Sequence, residues 1–326
     1  MQELTYALIA SLVGFAGLVW SADKFVEGSA SIARAAGLST LVIGLTIVSL
    51  GTSAPEIIVS LNAALDGSGE LAIGNAIGSN LANIGLVLGA TALIATLPVQ
   101  KHLLQHEMPI LILVTLVSGI LLFDAKLEVW EGFLLVAMIA PVMAYLVWVK
   151  KFTMNEEEVA AELDEVTELK PSVAWMWFAV GLILLVISAK ALVWGATEIA
   201  LYFEVSPLII GLTVVAIGTS LPELAASVAS ALKGHHDIAL GNVIGSNIFN
   251  LLAVMSIPSL IAPLGMEPEV FSRDYAAMAI LTALLVALML FTYLGGRRKK
   301  HTGGLGRFVG VVLLSCYGAY YVWLFQ

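Results

Sequence analysis

Gly44-Leu-Thr-Ile-Val-Ser-Leu-Gly-Thr-Ser-Ala-Pro-Glu56 recurs as Gly211-Leu-Thr-Val-Val-Ala-Ile-Gly-Thr-Ser-Leu-Pro-Glu223, and this recurrence decides the fold. A second block repeats in step: Gly74-Asn-Ala-Ile-Gly-Ser-Asn80 returns as Gly241-Asn-Val-Ile-Gly-Ser-Asn247. Every pair lies 167 positions apart without a gap, and 44–83 shares 21 identities in 40 positions with 211–250. The same offset joins Gly14 to Gly181, Ser21 to Ser188, Gly28 to Gly195 and Ser39 to Ser206. Chance and low complexity do not produce such agreement, so the chain is a duplication.

The solvent of this duplicated unit is lipid. Of 326 residues 60% are hydrophobic and only 12% charged, with a mean hydropathy of +0.97, whereas soluble domains carry about 25% charged residues. Apolar runs approaching the ~20 residues that cross a bilayer recur from end to end. They predict spans at 4–22, 37–65, 71–97, 108–123 and 131–149, then at 173–193, 207–232, 238–263, 276–294 and 308–325. The first run is no signal peptide: Glu3 is its only early charge, and Trp20 and Asp23 read as a helix end rather than a cleavage site. The fold expected is an all-α integral membrane protein of ten transmembrane helices. The first five-helix repeat is 1–149 and the second 173–326. An odd number of spans per repeat inverts the second copy, a plan common among secondary transporters.

Charge placement supports the count. With the N-terminus outside and loops alternating, only Lys126, Lys190 and Arg273 of the 15 basic residues fall outside, as the positive-inside rule requires of a cell (inner) membrane protein. The segment 150–172 is then cytoplasmic. It holds Glu156, Glu157, Glu158, Glu162, Asp164, Glu165 and Glu168, the source of much of the net charge of −9, and reads as a solvated, partly helical linker. The single Cys316 excludes an intrachain disulfide.

Glu56 and Glu223 carry the chemistry. Each lies well inside an apolar span, where a carboxylate costs several kcal/mol without a partner. One such residue could be a protonated, hydrogen-bonded structural group; two in identical repeated motifs point to a cation site. Pro55 and Pro222 follow Gly-Thr-Ser and one apolar residue, so the helices should break and free carbonyls around Ser49–Thr52 and Ala216–Thr219. Carbonyls, hydroxyls and carboxylates are hard ligands of the kind Ca²⁺ takes six to eight at a time. Ser49, Thr52, Ser53, Glu56 and Ser60 follow a 3/4 rhythm along one stripe, echoed by Thr219, Ser220, Glu223 and Ser227. Asn75, Ser79 and Asn83, matched by Asn242, Ser246 and Asn250, add amides and hydroxyls facing the same site. Gly74, Gly78, Gly241 and Gly245 supply close helix packing.

These paired motifs resemble the α-repeats of the cation/calcium antiporter superfamily, in its short prokaryotic sodium/calcium exchanger branch. The resemblance covers the whole chain. It implies Ca²⁺/Na⁺ antiport by alternating access, with no cofactor and the lipid bilayer and the two ions as partners. It also implies that the first and sixth helices slide over a four-helix cluster. Glu56 and Glu223 would be shared calcium ligands helped by the carbonyls of Thr52 and Thr219. Ser53, Ser220, Ser79 and Ser246 would complete the sodium positions beside Asn83. Asn250 departs from the pattern, since potassium-dependent relatives carry an acidic residue there; two formal charges instead of three argue against potassium coupling.

A proton/calcium antiporter is the nearest alternative, since buried glutamates can exchange protons, and a cation channel with a symmetric carboxylate pair is a second. An enzyme is not expected: no His-Glu-x-x-His and no pair of buried aspartates occur in the spans. His102, His106, His235, His236 and His301 all read as loop residues, with His235-His236 a surface turn rather than a metal site. Nothing in the chain suggests a nucleic-acid partner.

Overall fold

The structure, a computed structural model, describes residues 2–153, 168–204, 216–299 and 303–324. Its helices are α1 (Gln2–Ala36), α2 (Thr40–Thr52), α3 (Ala54–Leu65), α4 (Gly69–Ile94), α5 (Leu103–Leu121) and α6 (Val129–Thr153) in the first half. The second half holds α7 (Pro171–Tyr202), α8 (Ala216–Thr219), α9 (Leu221–Leu232), α10 (His236–Ile261), α11 (Val270–Gly296) and α12 (Arg307–Leu324). Among the described residues eight helices are long and apolar enough to cross a membrane, and the bent pair α2–α3 makes a ninth span. The protein is an all-α, multi-span membrane bundle with broken helices at mid-membrane. The start of the expected span 207–232, the Gly211 end of its motif, Ser206, the acidic run 156–165 and His301 lie outside the described residues.

The breaks fall where the sequence places them. Ser53 adopts φ −80°, ψ 4° between α2 and α3, which bend by 42°, and Ser220 adopts φ −88°, ψ 5° before α9. Pro55 and Pro222 sit in the first turn of the following helix, where a missing N–H is harmless. Gly67 (φ 75°) and Gly234 (φ 82°) end α3 and α9 in the left-handed region open to glycine. The repeat extends to irregularities: π-turns at Asn83–Leu88 and Leu103–Glu107 have counterparts at Asn250–Val254 and Val270–Tyr275. His102 and His106 therefore sit in the first turns of α5, and His236 opens α10, instead of lying in loops.

The expected first span, 4–22, ends too early. α1 runs unbroken for 35 residues to Ala36. Asp23 and Lys24 do not end it because they are neutralised in place. Lys24 Nζ donates to Glu27 Oε2 one turn on at 2.7 Å, and Lys233 Nζ meets Asp23 Oδ1 at 2.7 Å. The helix stops at Gly37, with φ 62°. α7 likewise extends past the expected 173–193 to Tyr202.

α1 and α7 pack antiparallel on repeated glycines. A Cβ on Gly28 would lie 2.5 Å from Phe178 N, and one on Gly195 2.5 Å from Ala7 O. Both helices turn apolar side chains such as Leu12, Phe15, Ile183 and Ile187 outward. Gly28→Leu is expected to lower thermal stability in detergent by about 1–3 kcal/mol, since the new side chain meets backbone; an unchanged melting temperature would contradict this close approach.

Two short ribbons cap the bundle. β1 (Leu97–Pro98) pairs antiparallel with β4 (Gly304–Leu305), and β2 (Lys126–Leu127) with β3 (Leu264–Gly265). Because α5 runs between β1 and β2, the ribbons lie at opposite ends.

Candidate cation-binding site

Glu56 and Glu223 occupy the first turns of α3 and α9 and are completely buried. A helix N-terminus offers a partial positive charge to a carboxylate there, but that is a small compensation for full burial. Among the described residues both oxygens of Glu56 and Oε2 of Glu223 lack a hydrogen-bond partner. Glu223 Oε1 accepts a hydrogen bond from Ser53 Oγ at 3.2 Å. The break of one repeat thus touches the carboxylate of the other.

α4 and α10 flank the two breaks and complete the site. Asn83 and Asn250, at the starts of their π-turns, are fully buried, and among the described residues neither amide has a partner for its oxygen or nitrogen. Ser220 Oγ and Ser246 Oγ are buried and likewise without a partner among the described residues. Buried polar groups are normally satisfied. Oxygens left unsatisfied on this scale are hard ligands of the kind that could hold a Ca²⁺ or Na⁺ ion. Ser79 is buried on the same face of α4, and Thr219 is half-buried at the end of α8.

Three expectations need correction. The 42° bend at Ser53 interrupts the proposed single stripe from Ser49 to Ser60. Ser49 Oγ turns back to Leu45 O at 2.8 Å, while its carbonyl is taken by Ser53 N at 3.0 Å, so it is not freed. Ser60 Oγ instead reaches Ala72 O at 3.3 Å.

Asn75 and Asn242 do not offer all their polar atoms to the site: they brace it. Asn75 Nδ2 donates to Glu56 O at 3.1 Å and Ser60 Oγ at 3.0 Å. Asn242 Nδ2 donates to Glu223 O at 3.3 Å and Ser227 Oγ at 3.0 Å, while its Oδ1 accepts from Thr52 Oγ1 at 3.0 Å. These amides fix the carboxylate-bearing helices onto α4 and α10. Their i, i+4 spacing with Ser79 and Ser246 was the available signal, but spacing alone does not separate a brace from a ligand. Asn80, from the same motif, crosses to its own repeat-equivalent, Nδ2 to Asn247 O at 3.3 Å. Asn242→Ala is expected to cost about 1–3 kcal/mol of stability through the partners it strands, read by thermal unfolding; no loss would refute the brace.

On α10, a Cβ at Gly241 would lie 2.8 Å from Leu41 O and one at Gly245 2.5 Å from Leu45 O, so α2 covers this glycine face. The counterparts of Leu41–Val48 for the Gly74 and Gly78 face of α4, 208–215, lie outside the described residues. A cavity of about 440 Å³ borders Gly74 and Gly78 and is lined by Asn75, Ser79, Thr219, Arg273 and Tyr320 among others. It reaches toward the site from the β2–β3 end.

Comparison with known proteins gives a consistent picture. The profile of the family described as sodium/calcium exchanger protein matches twice, at 6–148 and 173–326. The putative antiporter CaxA of Alkalimonas amylolytica is 44% identical over 325 residues, 98% of this chain and 99% of that one. The sodium/calcium exchanger MaX1 of Methanosarcina acetivorans is 30% identical over 361 aligned residues, 99% of each chain. A solved structure of the sodium-calcium exchanger NCX_Mj, soaked with Na⁺ and Ca²⁺, superposes with a TM-score of 0.81 at 31% identity, covering 97% of both chains.

Proposed function

The chain belongs to the sodium/calcium exchanger protein family, and from that premise we propose how it works and which residues do the work. It is a secondary active antiporter that exchanges Ca²⁺ for Na⁺ by alternating access through a shared site; it is a transporter and not an enzyme. The observation that carries the assignment of the site is the cluster of buried, unpartnered oxygens around Glu56 and Glu223. We assign Glu56, Glu223 and the carbonyls of Thr52 and Thr219 to Ca²⁺. Ser53, Ser79, Ser220, Ser246, Asn83 and Asn250 complete the positions for Na⁺. Both ions need the same oxygens, so one excludes the other, and competition is sufficient for coupling. With asparagine at both 83 and 250 the site carries two formal charges, and exchange is independent of potassium.

Alternating access needs a route to the site from one side at a time, and the cavity beside Asn75, Ser79 and Thr219 is such a route from the β2–β3 end. α1 and α7, turned to lipid and joined through glycines, are suited to move together.

The organisation follows as 1–149, a linker at 150–172 and 173–326, in keeping with a family profile that matches twice. Ten spans in two inverted repeats of five are supported by the ribbons. β2 and β3 share one end of the bundle, so an even number of crossings separates them. α6, α7 and α10 supply three; the fourth is the stretch that ends in α8 and α9. With the N-terminus outside, the linker and the β1–β4 ribbon are cytoplasmic and the cavity opens outward.

Calcium uptake into proteoliposomes driven by an outward Na⁺ gradient, at equal pH on both sides, tests the reading. Uptake is expected with Na⁺ and absent with K⁺ alone; uptake that follows only a pH gradient would overturn it in favour of proton coupling.

A further inference from the structure

Arg273 and Asp274, in the first turn of α11, line the cavity that borders Asn75, Ser79 and Thr219. A cation in the wall of a route taken by cations calls for a reason. Arg273 grips its neighbour through two bonds, Nε to Oδ1 at 2.7 Å and an Nη to Oδ2 at 3.1 Å. Tyr320 of α12 donates its hydroxyl to Asp274 Oδ1 at 3.1 Å. The two charged side chains stay 31% and 17% exposed, and their hydrogen bonds hold them in place.

The repeat supplies a second observation. At the offset of 167 Arg273-Asp274 corresponds to His106-Glu107 in the first turns of α5. There His106 Nδ1 lies 3.2 Å from Tyr145 Oη on α6, the fifth span of its own repeat as α12 is of the other. A basic–acidic dipeptide beside a tyrosine of the fifth span thus occurs in both repeats, with the tyrosine on the base in one and on the acid in the other.

We propose that the Arg273–Asp274 pair, held by Tyr320, sets the electrostatic potential of the access cavity and thereby the Ca²⁺-to-Na⁺ preference. Asp274 alone would concentrate cations beside the site, and divalent ions most. Arg273 cancels that charge and keeps Ca²⁺ from binding so tightly that Na⁺ cannot displace it. A change in local potential acts on an ion in proportion to its valence. Whatever factor a substitution imposes on half-saturating Na⁺ is therefore squared for Ca²⁺. At about 10 Å in water, with a Debye length well beyond that separation, a unit charge is worth about twofold for Na⁺ and hence about fourfold for Ca²⁺, fading as salt is added.

The inference rests on the exchange activity proposed above, so wild-type exchange is its control. Half-saturating Ca²⁺ and Na⁺ are measured in reconstituted protein at fixed low ionic strength. Arg273→Gln should lower half-saturating Ca²⁺ about fourfold and Na⁺ about twofold, and Asp274→Asn should raise both in the same proportion. Arg273→Lys, which keeps the charge, should leave the ratio unchanged. The double variant Arg273→Gln/Asp274→Asn is neutral again and should return to the wild-type ratio even where a single variant is unstable. Equal factors for the two ions, effects on turnover alone, or a double variant shifted further than the singles would each overturn the proposal. Absence of exchange by the wild type would instead refute the proposed function.

Discussion

Glu56→Gln is expected to reduce Na⁺-driven Ca²⁺ uptake by at least about 100-fold, and Glu223→Gln to do the same. Removing one member of a buried charge pair typically costs 2–5 kcal/mol of binding, and about 1.4 kcal/mol is a factor of ten. Ca²⁺ would then face one carboxylate in place of two. The replacement is nearly isosteric, and an unpartnered amide is less costly to bury than an unpartnered carboxylate. Both variants should therefore fold as well as the wild type, or better, in ion-free buffer. Thermal unfolding separates folding from binding: a ligand at 100 times its Kd stabilises by about 2.7 kcal/mol. That gain should vanish in the variants while the ion-free transition is kept. Asymmetry in the structure adds a finer expectation. Glu223 already accepts a bond from Ser53, whereas the Glu56 carboxylate has no partner among the described residues, so the ion-free gain should be larger for Glu56→Gln. Normal uptake by both variants would remove the proposed site altogether.

Asn250→Asp should change which ions are carried more than any loop substitution does. Asn250 is fully buried, and neither polar atom of its amide has a partner among the described residues. An aspartate would place a third negative charge beside Glu56 and Glu223. A buried charge of that kind is tolerated only with a compensating cation. Ca²⁺ leaves one charge unmatched, so the variant should need an additional monovalent ion to complete its cycle. Uptake measured with Na⁺, K⁺ and Li⁺ gradients is the check: the wild type should ignore K⁺, and the variant should respond to it several-fold. An unchanged profile across the three ions would place Asn250 outside the site.

The relation between sequence and structure varies residue by residue. The breaks at Ser53 and Ser220 were legible because glycine and proline act on local backbone. The corresponding π-turns were not, since a wider turn at Asn83 or Asn250 has no composition of its own. The length of α1 was missed for a related reason. Asp23 and Lys24 look like a helix end until their partners, Lys233 and Glu27, are brought alongside. Asn75 and Asn242 could be quoted as motif residues, but their work as braces depends on facing carbonyls from another helix. Arg273 reads as an external loop residue; only the cavity shows that it and Asp274 share a wall with Asn75, Ser79 and Thr219.

The repeat that begins at Gly44 and Gly211 determined by itself that this is a duplicated membrane protein with one buried carboxylate per copy. Identity at a fixed offset and the cost of charge in lipid are properties of the chain, independent of how it packs. Tertiary structure alone decided which of the repeated polar residues brace the site and which stand bare: Asn242 holds Glu223 O and Thr52 Oγ1, whereas neither polar atom of the Asn250 amide has a partner among the described residues. Two asparagines on one helix can differ in this way because a partner is a matter of which helix lies against which, and no local sequence encodes that choice.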